Sequence, residues 1–130
     1  MGVLISKTFR FMKTKGVRKM IIAVDFDGTL CEHKYPEIGS ENLVILTILK
    51  ILKTEGHKII LWTCRDGEYL KKAVEWCATK GLKFDMVNED IPEVKNSDFG
   101  RAKSQKIYAD IYLDDRSLSI QHIGLLFGHL

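Results

Sequence analysis

The stretch Ile21-Ile22-Ala23-Val24 runs straight into Asp25-Phe26-Asp27-Gly28-Thr29-Leu30, and this junction constrains the fold more than any other feature of the chain. A short apolar run rich in β-branched residues reads as a parallel strand buried on both faces. Such strands need helical crossovers, and open parallel sheets gather ligands beyond the carboxyl ends of their strands. Asp25 and Asp27 would then stand at that rim. Buried carboxylates are costly unless a cation or hydrogen bonds compensate them, so two acids beside a glycine turn point to Mg²⁺ and a phosphate.

The rest of the chain repeats the pattern. Residues 20–26 form the first strand, and Ser40 offers an N-cap to a helix over about 41–54 carrying Leu43, Leu46, Ile48, Leu49 and Leu52. Gly56 closes that helix. Lys58 to Thr63 is a second buried strand that again ends in a polar residue. Asp66 or Gly67 opens a helix with Leu70, Ala73, Val74 and Cys77 on one face, stopping at Gly81. A third strand over about 83–88 precedes a stretch of loop and short turn, 89–106, punctuated by Pro92 and Gly100. The segment from Ile107 to Leu113 contains the fourth strand, which ends in Asp114-Asp115, and Ser117 caps a last helix or strand-and-turn ending at Leu130. Strands alternating with helices predict an α/β fold: a doubly wound, Rossmann-like parallel sheet with helices on both faces.

At 130 residues the chain suits one domain. Its net charge of +3 conceals an asymmetry, because six of the 20 Lys and Arg precede Asp25, the first acidic residue. Beyond them, 14 basic residues face 17 acidic ones. Residues 1–19 therefore read as a basic, flexible extension, with a nucleic-acid or anionic-surface arm as the sharper alternative, and residues 20–130 as the folded domain. No apolar run approaches the roughly 20 residues of a membrane helix. Cys31, Cys64 and Cys77 are odd in number and lack metal-ligand spacing, which fits free thiols and a cytoplasmic location.

If the strands are parallel, Asp25, Thr63 and Asp114 converge on one crevice. Phosphomonoester hydrolysis is very slow without a catalyst. A site for it must neutralise a crowded oxyanion and supply an in-line nucleophile. Asp25 suits attack on phosphorus, and Asp27, two residues on, suits proton transfer to the leaving oxygen and then from water.

Taken together, Asp25-Phe26-Asp27-Gly28-Thr29, Leu61-Trp62-Thr63, and a lysine ahead of Tyr112-Leu113-Asp114-Asp115 resemble the motifs of the haloacid dehalogenase superfamily of phosphatases. The resemblance spans residues 20 to about 118. It implies Asp25 as nucleophile and metal ligand, and Asp27 as acid/base with its backbone carbonyl also on Mg²⁺. Thr63 would bind the phosphoryl group, with Asp114 and Asp115 completing the metal shell. Gly28, Thr29 and Cys64 fall on the phosphate-binding loops, Cys64 as a bystander or behind the ligands, while Arg65, two residues past Thr63, is placed either to bind substrate or phosphate bidentately or to form a surface ion pair. His33 and Tyr35 lie where the superfamily carries a flap over the site.

For the lysine, Lys106 matches best, with Lys103 and Lys95 remaining open. Eight extended residues span about 26 Å and would leave Lys106 at the wrong end of the sheet. Lys106 therefore requires an extended stretch that starts late, near Asp110, with the chain folded back before it.

Larger superfamily members choose substrates with an inserted cap domain. Neither Gly28 to Lys58 nor Asn88 to Lys106 is long enough to hold one, so the crevice is expected to be capless and open. It would take a phosphate on a large substrate, or be closed by a second copy of the chain in a homo-oligomer. The Asp-Asp-Arg ending at Arg116 is similar to polynucleotide 3′-phosphatase domains, which makes nucleic acid one candidate partner beside sugar and nucleotide phosphates. The rival reading is an inactive module that binds metal or phosphate for regulation. Retention of Asp27 favours the enzyme. A receiver domain is disfavoured, because no Asp ends an apolar strand between Asp27 and Thr63.

Overall fold

The computed structural model describes residues 18–96 and 104–128. Four strands, β1 (Ile21–Val24), β2 (Lys58–Leu61), β3 (Met86–Val87) and β4 (Ile111–Leu113), form one parallel sheet in the order β3-β2-β1-β4. The helices are α1 (Leu43–Thr54), α2 (Gly67–Thr79), α3 (Pro92–Lys95) and α4 (Ile123–Leu126). The fold is thus the α/β, Rossmann-like arrangement expected, and among the described residues there is no cap. No helix among them is long and apolar enough to cross a membrane.

Alternation along the strands divides the core in two. Ile22, Val24, Ile59 and Leu61 face α1 and α2, where Leu46, Leu49, Ala73 and Cys77 are buried against them. Removing a leucine side chain such as Leu46 or Leu49 from water contributes about 2 kcal/mol. Ala23 and Ile60 face the other way, onto Ile91, Ile107 and the half-buried Val94, Ala109 and Tyr112. That second face is covered by the single turn of α3 and by the chain leading into β4. Within the stretch expected as loop and short turn, residues 92–95 therefore form a short helix, and Ile91 and Val94 join the apolar lining.

The path from β1 to β2 to β3 steps in one direction, and the chain then returns to lay β4 on the far side of β1. The strand order reverses between β1 and β4. Open α/β sheets leave a crevice at such a reversal, outside the strand ends, and Asp25 and Asp114 immediately follow the two strands that flank it.

Two carboxylates that the sequence reading passed over set the register at the opposite edge. Asp110, just before β4, accepts from the Ile21 amide at 2.8 Å and from Arg18 at 3.0 Å, while its own amide donates to the Ile21 carbonyl at 2.7 Å. Asp85, just before β3, accepts from the Ile59 amide at 2.7 Å and pairs with Lys53 at 3.3 Å. Each is an aspartate directly ahead of a very short strand, the one signal that marks them in sequence.

Helix α1 starts two residues later than expected. Asn42, not Ser40, is its N-cap: the Asn42 side chain accepts from the Ile45 amide and donates to the Thr29 carbonyl at 3.1 Å. The second bond ties the helix to the loop after β1, which decides between two capping residues only two positions apart. Residues 1–17 of the basic extension lie outside the described residues. Its last two cations are engaged within the chain, Arg18 on Asp110 and Lys19 on the Glu55 carbonyl.

Candidate active site

The loop after β1 is a tight turn held by its own backbone. Asp25 donates its amide to the Leu113 carbonyl at 2.9 Å, Thr29 and Leu30 donate to the Phe26 carbonyl, and Gly28 donates to Cys31. Phe26 is fully buried beneath the loop, with its ring edge-on to Trp76. This anchors the turn and leaves Asp25 and Asp27 on the crevice side. Gly28 takes φ of +84°, and a Cβ there would fall on the Asp115 carboxylate. Thr29 accepts the Asp115 amide on its hydroxyl at 3.1 Å. Gly28 and Thr29, expected to bind phosphate, do not line the cavity. Their place is behind Asp115, which they seat.

Asp25, Asp114 and Asp115 each present a carboxylate oxygen within 4.8 Å of the others. Asp114 is braced by the Arg116 amide, which donates to its Oδ1 at 2.9 Å. The Asp25 carboxyl is pushed up to about 6, chiefly by burial and further by the charges of Asp114, Asp115 and Asp27, against a lowering hydrogen bond from the Phe26 backbone. Three crowded hard-oxygen donors, packed closely because Gly28 lacks a side chain, match what Mg²⁺ accepts. Asp27, expected to offer the cation its backbone carbonyl, keeps its carboxylate outside this cluster.

Its carboxylate is turned instead to Arg65. Nε donates to Oδ2 and Nη2 to Oδ1, both at 2.8 Å. Nη1 donates to the carbonyls of Pro36 at 3.1 Å and Tyr69 at 3.3 Å, and Nη2 also to Glu37 at 2.9 Å. A guanidinium has five N–H groups, and all five are engaged. Arg65 is 2 % exposed and lies between the rings of Phe26 and Tyr35, 4.9 and 5.1 Å from their centroids. Of its two expected roles the structure forms the ion pair, with Asp27 and buried rather than on the surface, and all five donors are taken up by that pair and by carbonyls.

A cavity of about 600 Å³ opens over these groups, lined by Asp25, Asp27, Thr63, Cys64, Arg65, Asp114 and Arg116 together with the aromatic rings of His33, Tyr35 and Trp62. Trp62 has a double role, since it also packs against the Ala23–Ile60 side of the core. Thr63 is fixed from both sides: its amide donates to Asn88 Oδ1 at 2.8 Å, and its hydroxyl accepts the Arg65 amide at 3.1 Å. That leaves the hydroxyl hydrogen to be donated elsewhere. Asn88 holds a left-handed backbone, φ 55°, at the end of β3, a conformation asparagine tolerates better than most residues. Sequence reasoning missed it, and an Asn closing a strand was the available signal. Cys64 is exposed at the rim, whereas Cys31 and Cys77 are buried, and burial pushes the Cys77 thiol up to about 12.

The lysine divides three ways. β4 begins at Ile111, and the Tyr112 hydroxyl donates to the Ile107 carbonyl at 2.6 Å, so the chain ahead of the strand is folded back. The condition set for Lys106 is met. Its ammonium lies 5.3 Å from the Tyr112 ring centroid, on the face that Tyr112 shares with Trp62, and it does not line the cavity. Lys95 pairs with Glu89 at 2.7 Å beside a separate recess. Lys103 lies outside the described residues.

A solved structure from Bacteroides thetaiotaomicron, that of a conserved protein, matches this chain at 46% identity with a TM-score of 0.68, covering 78% of this chain and 79% of that one. The chain belongs to that protein's family. Identity at this level over most of both chains carries the α/β fold from one member to the other, and it brings no activity with it. No protein-family model and no curated protein matches the chain.

Proposed function

We propose that this protein is a Mg²⁺-dependent phosphomonoester hydrolase of the haloacid dehalogenase type, acting through an aspartyl phosphate on Asp25. The observation that carries the reading is the meeting of Asp25, Asp114 and Asp115 at the point of strand-order reversal, with Asp27 held beside them. The cation, bound by Asp25, Asp114 and Asp115, would offset the carboxylate charges and that of the phosphoryl oxygens.

The remaining chemistry belongs to the chain. Asp25 attacks phosphorus in line with the ester oxygen, which departs toward Asp27. Asp27 delivers a proton to that oxygen and later takes one from the water that hydrolyses the aspartyl phosphate. A carboxylate offers about four acceptor positions, and Arg65 occupies two, so Asp27 is fixed without being blocked. The Thr63 hydroxyl donates to the phosphoryl group. Lys106 is the described lysine whose placement best suits a further countercharge.

The short connections favour a large phosphorylated substrate, or closure of the crevice by a second copy. Arg116 on the cavity wall gives the polynucleotide 3′-phosphate reading its support. Turnover of an aryl phosphate, measured with and without Mg²⁺, tests the proposal. It predicts Mg²⁺-dependent release of phosphate that Asp25→Asn abolishes. An Asp25→Asn protein as active as wild type would refute it, and a wild type without turnover on any ester would favour the inactive binding module.

A further inference from the structure

We propose that Arg65 is a positioning residue that couples the seat of Asp27 to closure of the 32–41 loop over the cavity. Its catalytic consequence rests on the phosphatase reading above, while the coupling itself does not.

Three segments meet on this one guanidinium: the turn at Asp27, the loop through the Pro36 and Glu37 carbonyls, and the start of α2 through the Tyr69 carbonyl. The loop is also closed on itself, the Glu32 amide donating to the Ser40 carbonyl at 2.9 Å. Tyr35, at its tip, stacks on the guanidinium and meets Tyr69 edge-on, with ring centroids 5.6 Å apart. Lifting the loop would strip buried donors of their acceptors, a loss that falls on the whole set because the five N–H groups share one rigid plane.

The loop and Asp27 consequently move as a unit. His33 and Tyr35 are the loop's contributions to the cavity wall. A substrate that seats them holds Arg65 in place, and Arg65 holds Asp27 toward the leaving oxygen. A lysine could keep the charge, but its three donors radiate from a point and cannot serve five acceptors.

Two experiments test this on the full chain. In the first, hydrogen exchange of the Glu32 amide is measured in wild type and Asp27→Asn, with the Trp62 amide, bonded to the Val24 carbonyl in the sheet, as internal reference. Coupling predicts that Asp27→Asn, which removes one acceptor and the charge from Arg65, speeds Glu32 exchange about tenfold relative to Trp62. Unchanged Glu32 exchange would overturn the proposal, whether or not the protein is an enzyme.

In the second, kcat/KM of Arg65→Lys, which reports phosphoryl transfer to Asp25 and not the later hydrolysis, is compared on an aryl phosphate, whose leaving group departs without a proton, and on an alkyl phosphate, whose leaving group needs one. A displaced Asp27 predicts a loss in kcat/KM at least tenfold greater on the alkyl ester. An equal loss in kcat/KM on both esters would mean that Arg65 supports the fold alone. If wild type turns over neither ester, the phosphatase reading fails and the exchange result decides the coupling.

Discussion

Gly28→Ala separates the architecture of the acidic cluster from its chemistry. A side chain at φ +84° costs about 1–2 kcal/mol in backbone strain, and the new Cβ also displaces the Asp115 carboxylate. Without a cation, moving Asp115 away from Asp25 and Asp114 relieves repulsion and returns part of that cost. With Mg²⁺ bound as proposed, the same movement would remove a ligand. Wild-type protein at a Mg²⁺ concentration one hundred times its Kd gains about 2.7 kcal/mol. A tenfold weaker site at that concentration gains about 1.4 kcal/mol, so the deficit of the variant grows by about 1.3 kcal/mol when Mg²⁺ is added. For a domain of this size 1 kcal/mol corresponds to about 4 °C in Tm. Thermal unfolding over a Mg²⁺ series should therefore show Gly28→Ala a few degrees below wild type without Mg²⁺, the gap widening by about 5 °C at saturation. Gly67→Ala is the control, because it imposes a left-handed backbone, φ +51°, with nothing within 4 Å of the new Cβ. It should lose stability yet keep the wild-type Mg²⁺ response. A Gly28→Ala gap that does not change with Mg²⁺ would refute the placement of Asp115 as a ligand.

Three further outcomes follow from the same geometry. Thr29→Val removes the acceptor of the Asp115 amide and should cost about 1 kcal/mol while weakening the Mg²⁺ response, both read from the same melts. The raised Asp25 carboxyl means that the metal-free folded state holds a proton the unfolded chain has released between the usual carboxylate range and about pH 6. Its contribution therefore becomes less favourable as pH rises through that window. Urea unfolding should show Asp25→Asn gaining on wild type by about 1 kcal/mol between pH 4 and pH 7 without Mg²⁺, after allowance for partial exposure; a constant difference would contradict it. Asp110 has the opposite sign, since the Ile21 amide and then Arg18 hold its carboxyl below the usual range. Its contribution is complete at neutral pH and fades as acid protonates it, so Asp110→Asn should cost about 1–3 kcal/mol at pH 7 and less at pH 3.

The sheet was legible in the sequence because its strands are continuous apolar runs, and each functional strand ends in a polar residue that has no business in a core. Asp25, Asp114 and Asp115 came together for that reason alone: parallel strands put their carboxyl ends on one edge. The partner of Arg65 was not legible, because sequence shows a cation two residues beyond Thr63 but neither Asp27 as its pair nor the carbonyls of a loop about thirty residues earlier that take up its donors. Gly28 and Thr29 were placed on the right turn, but their contacts with Asp115 could not be read, since they cross from the first strand to the last. Ser40 and Asn42 are equal as caps locally, and only the bond to the Thr29 carbonyl distinguishes them. Asp85 and Asp110 were invisible to periodicity because their role is to hold the starts of β2 and β1, a pairing that exists only in three dimensions.

The most direct test of the account is a search for phosphate on Asp25 itself. Wild-type protein mixed with Mg²⁺ and an aryl phosphate, quenched in acid within the first turnovers and digested for mass spectrometry, should carry a phosphoryl group on the peptide containing Asp25. The group should be removable by hydroxylamine and absent from Asp25→Asn. Phosphate release by a wild type in which Asp25 is never phosphorylated, or in which the group sits on another residue, would contradict the assignment of Asp25 as the nucleophile.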